Sequence, residues 1–141
     1  MHSITSDKGI VSTTELEASS AAIEVLNKGG NAIDAALAAS GILAVNSQHQ
    51  CGLGGDLFAL VYINKKVYAL NASGYSGSKI SQYAKQEQQK PLNVFKDTRL
   101  ITIPGAVDGW LAMHEKFGSQ PLKTIFNRAI ELANDGFTSN Q

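Results

Sequence analysis

Lys28-Gly29-Gly30-Asn31-Ala32-Ile33-Asp34-Ala35-Ala36 reads as the end of one helix and the start of another. The paired glycines stop a helix, because glycine takes a left-handed conformation at a helix end without steric penalty. Asn31 then suits an N-cap, and Asp34 places negative charge in the first turn, where the helix dipole favours it. Upstream, Thr14 with Glu17 three residues later has the form of a capping box. Leu16, Ile23 and Leu26, with Ala22 and Val25 beside them, form an apolar stripe at helical spacing. Downstream, Ala32 to Val45 is apolar all round and rich in alanine, so it predicts a helix covered on every side and closely approached by its neighbours.

Beyond Ser47-Gln48-His49-Gln50-Cys51 comes a glycine-rich turn, Gly52 to Asp56. Leu57–Ile63 and Lys66–Leu70 predict a hairpin around Asn64-Lys65. The first strand is apolar on both faces, which implies layers above and below it. Asn71 to Gly77 reads as a loop, Ser78 to Lys90 as a short polar helix, and Val94 to Ile103 as holding a further strand. Pro104-Gly105 opens a helix with Val107, Trp110, Leu111, His114 and Phe117 on one side, ended by Gly118. Pro121 fits the first turn of a last helix with the stripe Ile125, Phe126, Ala129, Ile130 and Ala133. The fold class is therefore α/β (α+β).

The 141 residues carry 12 basic and 12 acidic side chains, so no net charge draws the chain to nucleic acid or an anionic membrane. Its most apolar run is too short for a membrane span of ~20 residues. The first residues lack the basic and apolar regions of a secretory signal. A soluble, cytoplasmic protein is the expectation. Cys51 is the single cysteine and cannot form an internal disulfide.

Few residues suggest chemistry. Gly52-x-Gly54-Gly55 sits between a helix and a strand, the reverse of a dinucleotide fingerprint, and reads more simply as a tight turn. His49 and Cys51 share a side if the segment is extended, but no third group orients the histidine. His2, His49 and His114 are too scattered for a metal site, and no cofactor is indicated. Asp34, Asp56 and Asp108 are explained by capping, and Trp110 and Phe117 by the core. The residues alone contain no complete catalytic set.

Longer strings say more. Ala18 to Ala36, with its KGGNAIDAA run, closely resembles the amino-terminal segment of the γ-glutamyltransferase (γ-glutamyltranspeptidase) family. His49 to Phe58 resembles that family's glycine-rich turn and strand, Ile103 to Trp110 its Pro-Gly helix start, and Ala129 to Phe137 its next helix. The resemblance spans residues 9 to 138 in order. It implies an N-terminal nucleophile hydrolase, a four-layer αββα sandwich cut autocatalytically to expose a threonine. That hydroxyl attacks an amide acyl carbon, the threonine's own amine acts as base, and backbone amides hold the oxyanion. None of Thr5, Thr13, Thr14, Thr98, Thr102, Thr124 and Thr138 matches the nucleophile. Residues 1–141 thus read as one amino-terminal large-subunit piece without an internal boundary and without a catalytic residue. Its partners would be the rest of the large subunit, the small subunit and a small amide or γ-glutamyl substrate. The alternative is a non-catalytic, standalone large-subunit-like domain that binds or assembles.

The resemblance also marks a loop after the hairpin, where transpeptidases carry an arginine that pairs with the substrate's α-carboxylate. Here Ser73 stands at that place, in Leu70-Asn71-Ala72-Ser73-Gly74-Tyr75. The stretch is similar to the family's acylase or amidohydrolase branch. Ser73 and Tyr75 are thus the candidate substrate-binding residues, with Ser73 equally readable as a turn residue. Losing the arginine points away from γ-glutamyl amides.

Overall fold

The structure, a computed structural model, describes residues 5–80, 82 and 97–138. It is mixed α/β, and its packing falls into two compact units, Met1–Gly52 with Ala112–Gln141, and Leu53–Leu111. Among the described residues, no helix is long and apolar enough to cross a membrane.

The first unit is helical: α1 (Leu16–Asn27), α2 (Ala32–Asn46), the single turn α3 (Gln48–Cys51) and α5 (Leu122–Asp135). Gly29, at φ +85°, turns the chain out of α1 as its glycine predicts. Asn31 caps α2: its side chain accepts from the amides of Ile33 (2.8 Å) and Asp34 (3.1 Å). The Asp34 carboxylate accepts in return from the Asn31 amide at 3.0 Å, closing a capping box. As expected, α2 is covered on nearly every side, with Leu37 and Ile42 fully buried. The core lies where α1, α2 and α5 meet: Ala18, Ala21, Ala22, Ala35, Ala39, Ile42 and Ala129. A Cβ on Gly41 of α2 would sit 2.8 Å from Phe126 of α5, so this helix pair is in contact down to the backbone.

Two expectations for α1 are corrected. Its N-cap is Glu15, with no side-chain capping bond, in place of Thr14. It is Thr13 that acts here, donating to the Glu15 carbonyl and hydrogen-bonding the Ser19 hydroxyl, both at 2.6 Å. The buried stripe is Ala18, Ala21, Ala22 and Val25, whereas Leu16 and Ile23 are exposed. Close approach to α2 selects the alanine face over the bulkier one. The stripe of α5 shifts similarly: Ile125 and Ala129 are buried, while Ile130 and Ala133 face solvent.

The second unit is built on an antiparallel hairpin, β1 (Leu57–Ile63) and β2 (Lys66–Ala72). Asn64 (φ 51°) and Lys65 (φ 61°) form its turn, the doubly left-handed kind that matches strand twist. β2 runs two residues past the predicted Leu70, pairing Phe58 with Asn71 and Leu57 with Ala72. On one face Leu57, Ala59, Val61, Tyr68, Leu70 and Ala72 are buried or half-buried. On the other, Phe58, Leu60, Tyr62 and Val67 are exposed, Leu60 by 80%. The expected cover on both faces is therefore present on one among the described residues.

Helix α4 (Ala106–Phe117) begins against this hairpin. A Cβ on Gly109 would come within 2.8 Å of both Ala72 and Leu57. That approach sets the buried face there as Ala106, Gly109 and Trp110, and leaves the expected Val107 and Leu111 exposed. Of the strand expected within Val94–Ile103, residues 97–103 instead hold a 3-10 turn, Thr98–Leu100, followed by chain that joins no sheet, and the rest lies outside the described residues. Most of the polar helix expected over 78–90 lies outside them too.

Candidate substrate loop

The hairpin register places the candidate loop. With Leu57 opposite Ala72, the next pair outward is Asp56 and Ser73. The Ser73 hydroxyl donates to Asp56 Oδ2 at 3.1 Å, and its amide donates to Asn71 Oδ1 at 3.0 Å. From the segment before α4, the Thr102 hydroxyl donates to Asp56 Oδ1 at 2.8 Å. Asp56 is thus the centre of a three-residue cluster, not the capping residue its position beside the glycine turn suggests.

Backbone contacts hold the same segments together. The Ile103 amide donates to the Tyr75 carbonyl at 2.9 Å, and the Gly105 and Ala106 amides donate to the Gly55 carbonyl, both at 3.0 Å. The Gly55 carbonyl of the glycine turn therefore accepts from the amides at the start of α4. Gly74 and Gly105 are where the strands of this knot cross: a Cβ would lie 1.5 Å from the Ile103 oxygen and 2.2 Å from the Ala72 oxygen, respectively. Ser73 is half-buried, and the Tyr75 side chain is 87% exposed. The structure brings Ser73 together with Asp56 and Thr102, while Tyr75 is joined through its backbone to Ile103, the residue after Thr102.

Other candidates dissolve. His49 and Cys51 lie on the helical turn α3, where residues two apart point to different sides, and both are exposed. The extended geometry behind a thiol–imidazole pair is absent. His114 Nε2 lies 2.8 Å from the Gln120 carbonyl, tying down the end of α4. Among the described residues, no group of three or more His, Cys, Asp or Glu side chains is placed to hold a metal ion. An open cleft of about 630 Å³ in the helical unit is lined by Glu15, Glu17, Asn46 and His49 among others, and by neither Ser73 nor Tyr75.

Asp34 also exceeds its expected role. Fully buried, it accepts from the Ser119 amide and hydroxyl as well as from Asn31. Burial is the largest single influence and opposes its charge. The bonds from Ser119 and the amides of Asn31, Ser119 and Gln120 together outweigh it and hold the carboxyl below its usual range.

The fold is similar to that of solved structures of a transpeptidase and an acylase. The chain matches the structure of a γ-glutamyltranspeptidase from Pseudomonas nitroreducens complexed with L-DON at 29% identity and a TM-score of 0.78, over 96% of this chain and 41% of that one. It matches a cephalosporin acylase from Bacillus halodurans at 32% identity and a TM-score of 0.74, over 85% and 23%. The family model for gamma-glutamyltranspeptidase matches residues 18–141, and the chain belongs to that family. Among curated relatives, a glutathione hydrolase-like YwrD proenzyme of Bacillus subtilis (strain 168) is 38% identical over 138 residues, 96% of this chain and 26% of the relative. An acylase ACY 1 proenzyme of Pseudomonas sp. (strain V22) is 32% identical over 94% of this chain and 26% of the relative. The chain spans about a quarter of the length of these relatives.

Proposed function

We propose that this chain is the amino-terminal part of the large subunit of an autoprocessed enzyme that transfers or hydrolyses an acyl group from an amide. The observation that carries this reading is the family match over residues 18–141, with relatives named both as glutathione hydrolases and as acylases. In the whole protein a threonine outside these residues is the nucleophile and its own amine the base. The hairpin is part of one of two sheets in a four-layer αββα sandwich, a reading supported by the uncovered apolar face of Phe58, Leu60, Tyr62 and Val67. Ser73 and Tyr75 contact the acyl group. A serine offers a carboxylate at most one neutral hydrogen bond where a guanidinium offers two charged ones, so γ-glutamyl amides are poor donors.

The test is to express the full-length protein and follow self-cleavage together with nitroaniline release from acyl nitroanilides. Two chains and turnover are expected, both lost when the threonine at the new amino terminus is replaced by alanine. A single uncut chain without turnover would sink the reading.

A further inference from the structure

We propose that Asp56 sets the acyl-group preference of the Ser73 loop: it makes the corner anionic and acceptor-only, favouring acyl groups that carry an amine and disfavouring those that carry a carboxylate. This rests on the reading that the Ser73 loop contacts the acyl group.

A hydroxyl has one proton to give. Ser73 directs its proton to Asp56 Oδ2 and Thr102 directs its own to Asp56 Oδ1. Both hydroxyls thus offer lone pairs, not donors, to anything beside them, and a carboxylate also only accepts. The ion pairs among the described residues, Lys28–Glu24, Arg99–Asp97 and Arg128–Glu17, do not include Asp56, so its charge has no cation beside it there. Asp56 is exposed and within reach of a ligand lying on Ser73. The backbone on either side is held by the close crossings at Gly74 and Gly105, and the carboxylate acceptor draws both hydroxyl protons to itself. An acyl carboxylate placed here meets like charge and no donor. An ammonium meets the carboxylate and two hydroxyl oxygens.

The experiment compares kcat/KM of the full-length protein for four nitroanilides: butyryl, 4-aminobutyryl, glutaryl and γ-glutamyl. These vary amine and carboxylate independently. The amine should raise kcat/KM about 2- to 5-fold over butyryl, and the carboxylate should lower it by a similar factor, the scale of a solvent-accessible charge pair. Asp56→Asn keeps an acceptor for the hydroxyls and should bring both ratios near one through KM, with kcat little changed. Asp56→Glu, which keeps the charge, should retain them and stands in if the asparagine variant fails to fold. Ser73→Arg should move the preference towards glutaryl. If Ser73→Arg shifts the ratios but Asp56→Asn does not, the loop reading stands and the role of Asp56 is overturned. Should neither variant move them, or should no anilide turn over, the loop reading itself fails and this inference with it.

Discussion

Ser119 gives both its amide, at 3.0 Å, and its hydroxyl to the carboxylate of Asp34, 85 residues earlier in the chain. The neighbouring cap residue makes a parallel tie, since the Asn31 side-chain amide donates to the Phe117 carbonyl at 2.7 Å. A local helix cap is thereby also the clasp that holds the segment between α4 and α5.

Asp34→Ala should destabilise the full-length protein by about 1.5–3 kcal/mol, because the part-buried hydrogen bonds from Asn31 and Ser119 lose their charged acceptor. The pH dependence follows from the lowered carboxyl. A depressed folded-state pKa stabilises above the unfolded value, near ~4, and that contribution fades as pH falls through the folded value. Melting curves between pH 7 and 2 should therefore converge for wild type and Asp34→Asn only at the acid end. A constant gap would show that the charge contributes nothing.

Gly74→Ala and Gly105→Ala should each cost about 3 kcal/mol or prevent folding, since the added methyl overlaps a carbonyl oxygen of rigid backbone. Gly54→Ala is the control: nothing lies within 4 Å of its Cβ. Soluble yield and Tm of the three variants decide the matter, and equal values would contradict the knot.

At Gly41 two effects oppose each other. Alanine in a helix interior gains about 1 kcal/mol over glycine. A methyl 2.8 Å from Phe126 costs about 1–3 kcal/mol of overpacking. Gly41→Ala should be net destabilising alone and stabilising once Phe126→Leu makes room. Double-mutant Tm values measure the coupling, and simple additivity would count against contact at this point.

The hairpin turn carries strain at Lys65, whose φ of 61° suits glycine better. Lys65→Gly should raise stability by about 0.5–1 kcal/mol, seen as a Tm increase without change in activity. A lower Tm would mean the left-handed turn is not populated.

Expressed alone, the 141-residue chain should bind a hydrophobic dye or self-associate through Phe58, Leu60, Tyr62 and Val67. Leu60→Lys with Tyr62→Thr should suppress both. A dye-negative wild-type monomer would argue that this face is not a packing surface.

What could be read beforehand followed the range of the interactions. Asn31 and Asp34 bond within three residues, so the cap and its first-turn charge are legible as a string, whereas Ser119 is unreachable by local pattern. Stripes on α1, α4 and α5 were placed on the correct helices but rotated. Helical spacing reports apolarity, and it is contact at Gly41 and Gly109 that chooses which face turns inward. The family resemblance points to Ser73, while Asp56 reads locally as no more than a cap. Yet the signal was present: a two-residue turn at Asn64-Lys65 fixes Ile63 opposite Lys66, and counting outward reaches Asp56 opposite Ser73. Thr102 belongs to a stretch with no such register, so its place in the cluster needed coordinates.

The alanines between α1, α2 and α5 bear on how this protein keeps a record of its ancestry. Ala18, Ala21, Ala22, Ala35, Ala39 and Ala129 have no rotamers with which to absorb a change in a neighbour. Enlarging any of them pushes two helix axes apart, and the only smaller residue is glycine, which weakens the helix. A core of leucines can drift by exchanging volume among its members; this one has no volume to exchange. Descent should therefore be written most legibly in its least distinctive residues, the small side chains of this seam.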